Sequence, residues 1–213
     1  VADRRIRCHK TTGHGTQTFT QTVMNSCNPA FIEWGRRVGV DNFYTYIDKL
    51  GLTSKTGIDI AGEAGTIIHK KENVGEVELA TMSFGQSFQI TPMQMLRAAA
   101  AIVNGGNLVT PHFAIRTCAA DKTTYSEFSY STTQEAVSKE TSDTMKDILR
   151  QVVEEGGGKN AYIEGFSIGG KTATSQKLPR GSGKYIASFI GFSDVTDPSV
   201  IAMCLIDEPQ GVY

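Results

Sequence analysis

A mixed α/β (α+β) fold, with helices packed on an antiparallel sheet, is predicted by three observations. Helical periodicity and helix-stop signals dominate residues 1–160. The apolar period then changes to two, or to short apolar runs, over residues 161–213. A usage of 39% hydrophobic and 20% charged residues suits a chain that buries one sizeable core.

The elements follow in order. Asn28-Pro29 opens a helical segment through Ile32, Trp34 and Val38, since proline is tolerated where the first helical N–H groups have no partner anyway. Asp41 is expected to cap a second segment carrying Phe43, Tyr46, Ile47 and Leu50, with Gly51 as its stop. Thr91-Pro92 is the clearest start: threonine caps, proline takes the first helical position, and Met93, Leu96, Ala100 and Val103 run to a stop at Asn104-Gly105-Gly106. A fourth helix is expected from Thr141 to Glu154, with Met145, Ile148, Leu149, Val152 and Val153 as its buried stripe and Gly156-Gly157-Gly158 as its end. Phe166 to Gln176, Tyr185 to Phe192 and Val200 to Ile206 read as strands. The turn signals between them, Pro179-Arg180-Gly181-Ser182-Gly183 and Asp194 to Pro198, suit an antiparallel meander.

Several function classes are excluded by composition. Lys+Arg 21 against Asp+Glu 22 gives a net charge of −1, without the basic excess that neutralises phosphates, so no nucleic-acid partner is expected. No apolar run approaches the roughly 20 residues a bilayer span requires, and the candidate Ala98 to Val103 falls far short. Cys8, Cys27, Cys118 and Cys204 lack a C-x-x-C spacing, so neither a zinc site nor a dense disulfide framework is expected. His9, His14, His69 and His112 are scattered and read as non-catalytic. Trp34, Met93 and Met95 read as core or core rim, and Lys70-Lys71-Glu72 as a solvated turn. Val1 opens without a methionine and Tyr213 follows an unpunctuated Glu208 to Val212, so the sequence is expected to be truncated at both ends.

Two short stretches carry the chemistry: Ser26-Cys27-Asn28, and Gly169-Gly170-Lys171-Thr172-Ala173-Thr174. Taken singly, the first is also a plain helix start, with Asn28 as cap, and Lys171 is also an ordinary edge-strand lysine. Their order and local setting match two of the three elements, Ser-x-Asn and Lys-Thr-Gly, from which serine acyl-transferases build their site. The third, Ser-x-x-Lys, is missing, because no serine here is followed three residues later by lysine.

Further stretches extend the match: Asn25 to Phe31, Lys55-Thr56-Gly57-Ile58-Asp59, Met82-Ser83-Phe84-Gly85-Gln86, Thr91-Pro92-Met93-Gln94, Gly158-Lys159-Asn160-Ala161, Ala187 to Phe192 and Asp207-Glu208-Pro209. On these residues the sequence resembles the class B penicillin-binding proteins, in particular their sporulation-type branch. The resemblance implies a penicillin-binding protein/serine β-lactamase-like fold and one partial transpeptidase domain over 1–213: a mainly helical part over 1–160 with the Ser-x-Asn loop, and C-terminal strands over 161–213 with Lys-Thr-x-Thr. It departs at Ala173, where the family has glycine. A methyl there is expected to crowd the approach of the Ser26 loop, since residue 173 projects to the same side of a strand as Lys171.

What the resemblance implies chemically is acyl transfer from a D-Ala-D-Ala stem peptide, or from a β-lactam, to a serine outside this sequence. Ser26 would relay the proton between that serine's lysine base and the leaving nitrogen, and Asn28 would orient the substrate amide. Lys171 would polarise Ser26 and attract the substrate carboxylate, which Thr172 and Thr174 would grip. The Thr174 N–H would be an oxyanion donor, a role worth about 3 kcal/mol. The implied partners are peptidoglycan stem peptides, β-lactam antibiotics and other cell-wall synthesis proteins. No cofactor and no metal are implied. The implied location is the extracytoplasmic face of the bacterial membrane, anchored by a segment outside the sequence. In that compartment disulfides persist, so Cys8 and Cys27 are expected to act as a redox pair beside Ser26. A β-lactam-hydrolysing or β-lactam-sensing relative, or a non-catalytic scaffold module, are the alternatives.

Overall fold

The computed structural model describes residues 1, 6–179 and 181–211; Arg180, in the expected turn before the second long strand, and the terminal Val212 and Tyr213 lie outside them. The described helices are α1 (Phe19–Met24), α2 (Asn28–Lys49), α3 (Glu76–Ser83), α4 (Pro92–Val103) and α5 (Lys139–Glu154), with single 3-10 turns at Lys71–Asn73 and Lys159–Ala161. Short strands β1 (Leu108–Val109) and β4 (Thr132–Thr133) pair with each other, as do β2 (Arg116–Cys118) and β3 (Tyr125–Glu127). The main sheet is an antiparallel meander of β5 (Ile168–Gln176), β6 (Tyr185–Ser193) and β7 (Val200–Asp207), in the order β5-β6-β7.

The expected meander is therefore present. The helical part differs in detail. Gly39, at φ 75 and ψ 163, breaks α2 two residues before Asp41, whose carboxylate takes Lys71 at 2.8 Å instead of opening a helix. At the start of α2 the cap position belongs to Cys27, which makes no side-chain cap bond, and Asn28 is the first helical residue. Ser138 caps α5 through the Thr141 N–H, so that helix begins at Lys139. Helices α1 and α3 and the four short strands are additional to the sequence expectation.

Two of the sequence stretches turn out to hold the scaffold. Thr91 and Gln94 form a reciprocal cap, and the fully buried Gln94 amide donates to the Ser54 carbonyl and to Thr66 Oγ1, both at 2.7 Å. Every polar atom taken from water there is paired, which is the condition for burying an amide without loss. Asp59 accepts from the N–H groups of Phe113 and Ala114, bonds that hold its carboxyl below the usual range. Those contacts fix the segment before β2 against the loop after α2.

The part of the core that positions the site lies between α1 and α5. Val23, Ile148 and Val152 are buried together, with Met24, Phe31 and Met145 against them. Helix α5 also packs on β5. Glycine is required where β6 covers the start of β5: a Cβ on Gly169 would stand 2.3 Å from Phe192 Cζ, and one on Gly170 2.4 Å from Phe189 Cζ. The two rings thus occupy the space that side chains would otherwise take, and they hold the strand that carries Lys171.

Candidate active site

Helix α1 ends in a Schellman motif. The Cys27 N–H reaches back to the Thr22 carbonyl and the Ser26 N–H to the Val23 carbonyl, each at 3.1 Å, with Ser26 in the left-handed region at φ 48. Glycine or asparagine normally takes that position. A serine there carries roughly 1–2 kcal/mol of backbone cost, a signature of a residue held for a purpose other than stability. The turn leaves Cys27 buried behind it and turns Ser26 toward the sheet.

The same turn is latched to the end of α5. Gly157 N–H donates to the Met24 carbonyl at 3.2 Å, and a Cβ on Gly156 would stand 3.1 Å from that oxygen and 2.9 Å from the Val152 carbonyl. The glycine run predicted as a helix stop therefore also permits backbone-to-backbone docking of α1 on α5. Since α5 rests on β5, this chain of contacts brings Ser26 to Lys171 across 145 positions of sequence: Lys171 Nζ donates to Ser26 Oγ at 3.0 Å and to the Thr172 carbonyl at 2.9 Å.

Lys171 is largely buried, and burial pulls its ammonium down from 10.5 to about 8. It remains protonated at neutral pH, closer to titration than an exposed lysine. Alternation along β5 puts Lys171 and Ala173 on one face and Thr172 and Thr174 on the other. The flexible lysine stem folds back so that the ammonium still reaches the Thr172 backbone. Thr172 is half-buried and Thr174 exposed, and Ala173 is exposed as well, so its methyl meets solvent while the Ser26 contact forms beside it. Asn28, half-buried, opens α2 two residues after Ser26. A literal Lys-Thr-Gly triplet also occurs at Lys55-Thr56-Gly57, but the Thr56 and Gly57 N–H groups donate to Glu63 at 2.7 and 3.2 Å in a loop, so that triplet is structural.

The fold also assembles groups that sequence spacing kept apart. Cys8, His14 and Cys27 bring one sulfur or nitrogen each to within 4.8 Å of one another, and all four cysteines are free thiols. A turn in which Gly13 N–H donates to the Lys10 carbonyl folds His14 back beside Cys8. Burial pushes the His14 imidazole down, with Lys10 and His9 acting in the same direction. Nothing in the linear spacing singled out His14, because the grouping depends on that turn and on Cys27 arriving from the end of α1.

Similarity to known proteins agrees with this geometry. Stage V sporulation protein D of Bacillus subtilis is 43% identical over 215 residues, covering 99% of this chain and 33% of that protein. The probable peptidoglycan D,D-transpeptidase PenA of Neisseria meningitidis is 29% identical, covering 90% of this chain and 32% of the relative. The chain thus spans about a third of the length of the curated relatives it matches. Among solved structures, penicillin-binding protein 3 of Mycobacterium tuberculosis complexed with aztreonam superposes with a TM-score of 0.84 at 28% identity, over 90% of this chain and 45% of the other. The family model of the penicillin-binding protein transpeptidase domain matches residues 1–213, so the chain belongs to that family.

Proposed function

We propose that this chain is the substrate-binding and proton-relay part of a serine D,D-transpeptidase that cross-links peptidoglycan stem peptides through an acyl-enzyme and is acylated by β-lactams. The observation that carries the reading is the 3.0 Å bond from the Lys171 ammonium to Ser26 Oγ. A hydroxyl so held keeps its own proton available for donation while its lone pairs face a cation, the arrangement a relay to a leaving amine needs. The acylated serine and its lysine base belong to a Ser-x-x-Lys element outside these residues. Attack of that serine on the penultimate carbonyl expels the terminal D-Ala amine, which takes its proton through Ser26. Asn28 orients the amide, and Lys171 with the Thr172 and Thr174 hydroxyls holds the terminal carboxylate. Relatives solved with aztreonam and ampicillin support the β-lactam part. The site of action is the extracytoplasmic face of the bacterial membrane; no described helix is long and apolar enough to cross a membrane.

Labelling with a fluorescent penicillin tests this reading. The complete protein is expected to form a stable adduct on a serine of Ser-x-x-Lys, and the 213 residues alone none, since losing a nucleophile removes about 10⁶ of rate. An adduct on Ser26 would overturn the roles, and rapid release of the acyl group would point to a β-lactam-hydrolysing relative.

Cys8 and Cys27 form a second part of the proposal. Their sulfur atoms lie within 4.8 Å, which supports a disulfide made by exchange with an external disulfide, the two electrons and two protons passing to that partner. The bond would pull the Ser26 turn toward residues 8–14. Non-reducing peptide maps paired with acylation rates check it: free thiols under an oxidising disulfide buffer, or a linked peptide with unchanged acylation, reject the switch.

A further inference from the structure

We propose that Cys8, His14 and Cys27 form a binding site for a thiophilic divalent cation of the zinc class, which clamps the loop over residues 8–14 onto the start of α2. The ligand set is the first argument. Two thiolates and an imidazole are the donors that such an ion selects over oxygen-rich surroundings, and two thiolates cancel its charge, the two displaced protons passing to solvent.

Geometry is the second argument. With metal–sulfur bonds of about 2.3 Å and metal–nitrogen bonds of about 2.0–2.1 Å, neighbouring donors of a tetrahedral site stand about 3.5–3.8 Å apart. Cys8 Sγ lies 3.6 Å from His14 Nδ1, and all three donor atoms fall within 4.8 Å of one another, so closure on an ion needs movements of about an ångström or less. Cys27 is buried and fixed by the Schellman turn, while Cys8 and His14 are only half-buried on a loop that can adjust. One rigid and two adjustable ligands, with solvent on the loop side, is a site that an ion can enter. His9 Nδ1 also lies 3.5 Å from Cys8 Sγ.

The consequence lies in the position of Cys27 between Ser26 and Asn28. An ion bound there would tether that loop through a contact independent of the α5 latch. It would also occupy the two thiols in their reduced state, since a Cys8–Cys27 disulfide and the metal compete for the same sulfur atoms.

The test uses the full-length protein, reduced, with cobalt(II) as probe and zinc(II) as competitor. One equivalent of cobalt is expected to bind with a thiolate-to-metal charge-transfer band and tetrahedral ligand-field bands, both removed by one equivalent of zinc. Changes to groups that merely orient a metal ligand cost 10–100-fold in affinity, so Cys8→Ser and His14→Ala should each weaken cobalt binding by at least about 100-fold. His9→Ala should weaken it less, and a double Cys118→Ser, Cys204→Ser variant should bind as the parent does. Both loop variants alter half-buried side chains, and circular dichroism is to check that each is folded. Absence of stoichiometric binding, a spectrum without the charge-transfer band, or unchanged binding in His14→Ala overturns the site. The readout is metal alone, so it stands or falls separately from penicillin labelling.

Discussion

Lys171 sits within a nine-residue strand paired residue by residue with β6, whereas Ser26 sits on one irregular residue at the end of a six-residue helix. The strand is locked by its ladder and by the Phe189 and Phe192 rings over its glycines. The serine turn has no ladder: it is held by its two Schellman bonds, by Val23 packed on Ile148 and Val152, and by the bond from the Gly157 N–H to the Met24 carbonyl. The two regions also store energy differently. On the strand the cost is electrostatic, an ammonium held in a largely buried place; on the turn it is conformational, a serine where glycine belongs. Each cost attaches to a residue that makes the 3.0 Å contact, but removing the ammonium relieves the first, whereas the second is relieved only when glycine replaces the serine.

Lys171→Met in the complete protein should show the larger version of that trade. Methionine keeps the volume and loses the charge, so acylation by a fluorescent penicillin is expected to fall about 10²–10⁴-fold, the usual size of a proton-transfer contribution. Stability at pH 7 should rise by about 1–3 kcal/mol, because the desolvation penalty vanishes and the two lost hydrogen bonds recover only part of it. Urea unfolding and acylation rates measured on the same sample check both signs. A variant that is less stable and equally impaired would show Lys171 to be a structural ion rather than a relay partner.

The pH dependence sharpens the same comparison, because the strand side titrates and the turn side does not. The folded-state value of Lys171 is depressed from 10.5 to about 8, so between those two values the unfolded chain binds more protons than the folded one. The Lys171 contribution to stability therefore increases with pH across that window, by up to about 3 kcal/mol, and is flat below about pH 8, where both states are protonated and the penalty is in full force. On the proposed roles, acylation should move the opposite way and decline as pH rises through about 8, since the ammonium assigned to the substrate carboxylate is lost. Stability curves for the parent and Lys171→Met against pH isolate this group; parallel curves would place the ammonium in water instead.

On the turn side, Ser26→Gly is expected to raise stability by about 1 kcal/mol through relief of the left-handed serine, while Ser26→Ala, still bearing a Cβ at φ 48, gains nothing. Both should lose acylation together, as both lack the hydroxyl. Thermal melts of the pair give a direct reading of backbone cost, and equal melting temperatures would mean that the turn relaxes without expense.

This contrast also explains what could be read from the residues alone. The strands, α4 and α5 were legible because each has a local signature: Thr91-Pro92 before an apolar stripe, an apolar stripe ending in three glycines, and apolar runs cut by turns. Helix α1 was not, being only six residues long and closed by serine where a glycine would have signalled the cap. Strands β1 to β4 are two or three residues long and mostly exposed, so no alternation marks them. Of the site, Ser26, Asn28 and Lys171 were visible as motifs, but the path that joins them, through Val23, Val152 and Gly157, is a tertiary fact. The grouping of Cys8, His14 and Cys27 is another, since it needs a reversal at Lys10–Gly13 and a helix end arriving from elsewhere.

The smallest expected effect belongs to Ala173, and it separates crowding from simple strand preference. The methyl shares a face with Lys171, which from the sequence suggested interference with the Ser26 loop. In the folded chain Ala173 is exposed, paired in register with Ser188, and the Lys171–Ser26 bond forms at 3.0 Å beside it. Glycine at that position gains no room that the loop lacks. It does enlarge the freedom of the unfolded chain, which within a strand costs about 0.5–1 kcal/mol relative to alanine. Ala173→Gly should therefore lower stability by that amount and leave acylation within about twofold, less than 0.5 kcal/mol in barrier terms. Acylation several-fold faster in the glycine variant would show instead that the methyl holds substrate away from β5, and that the crowding arises only when the strand edge is occupied.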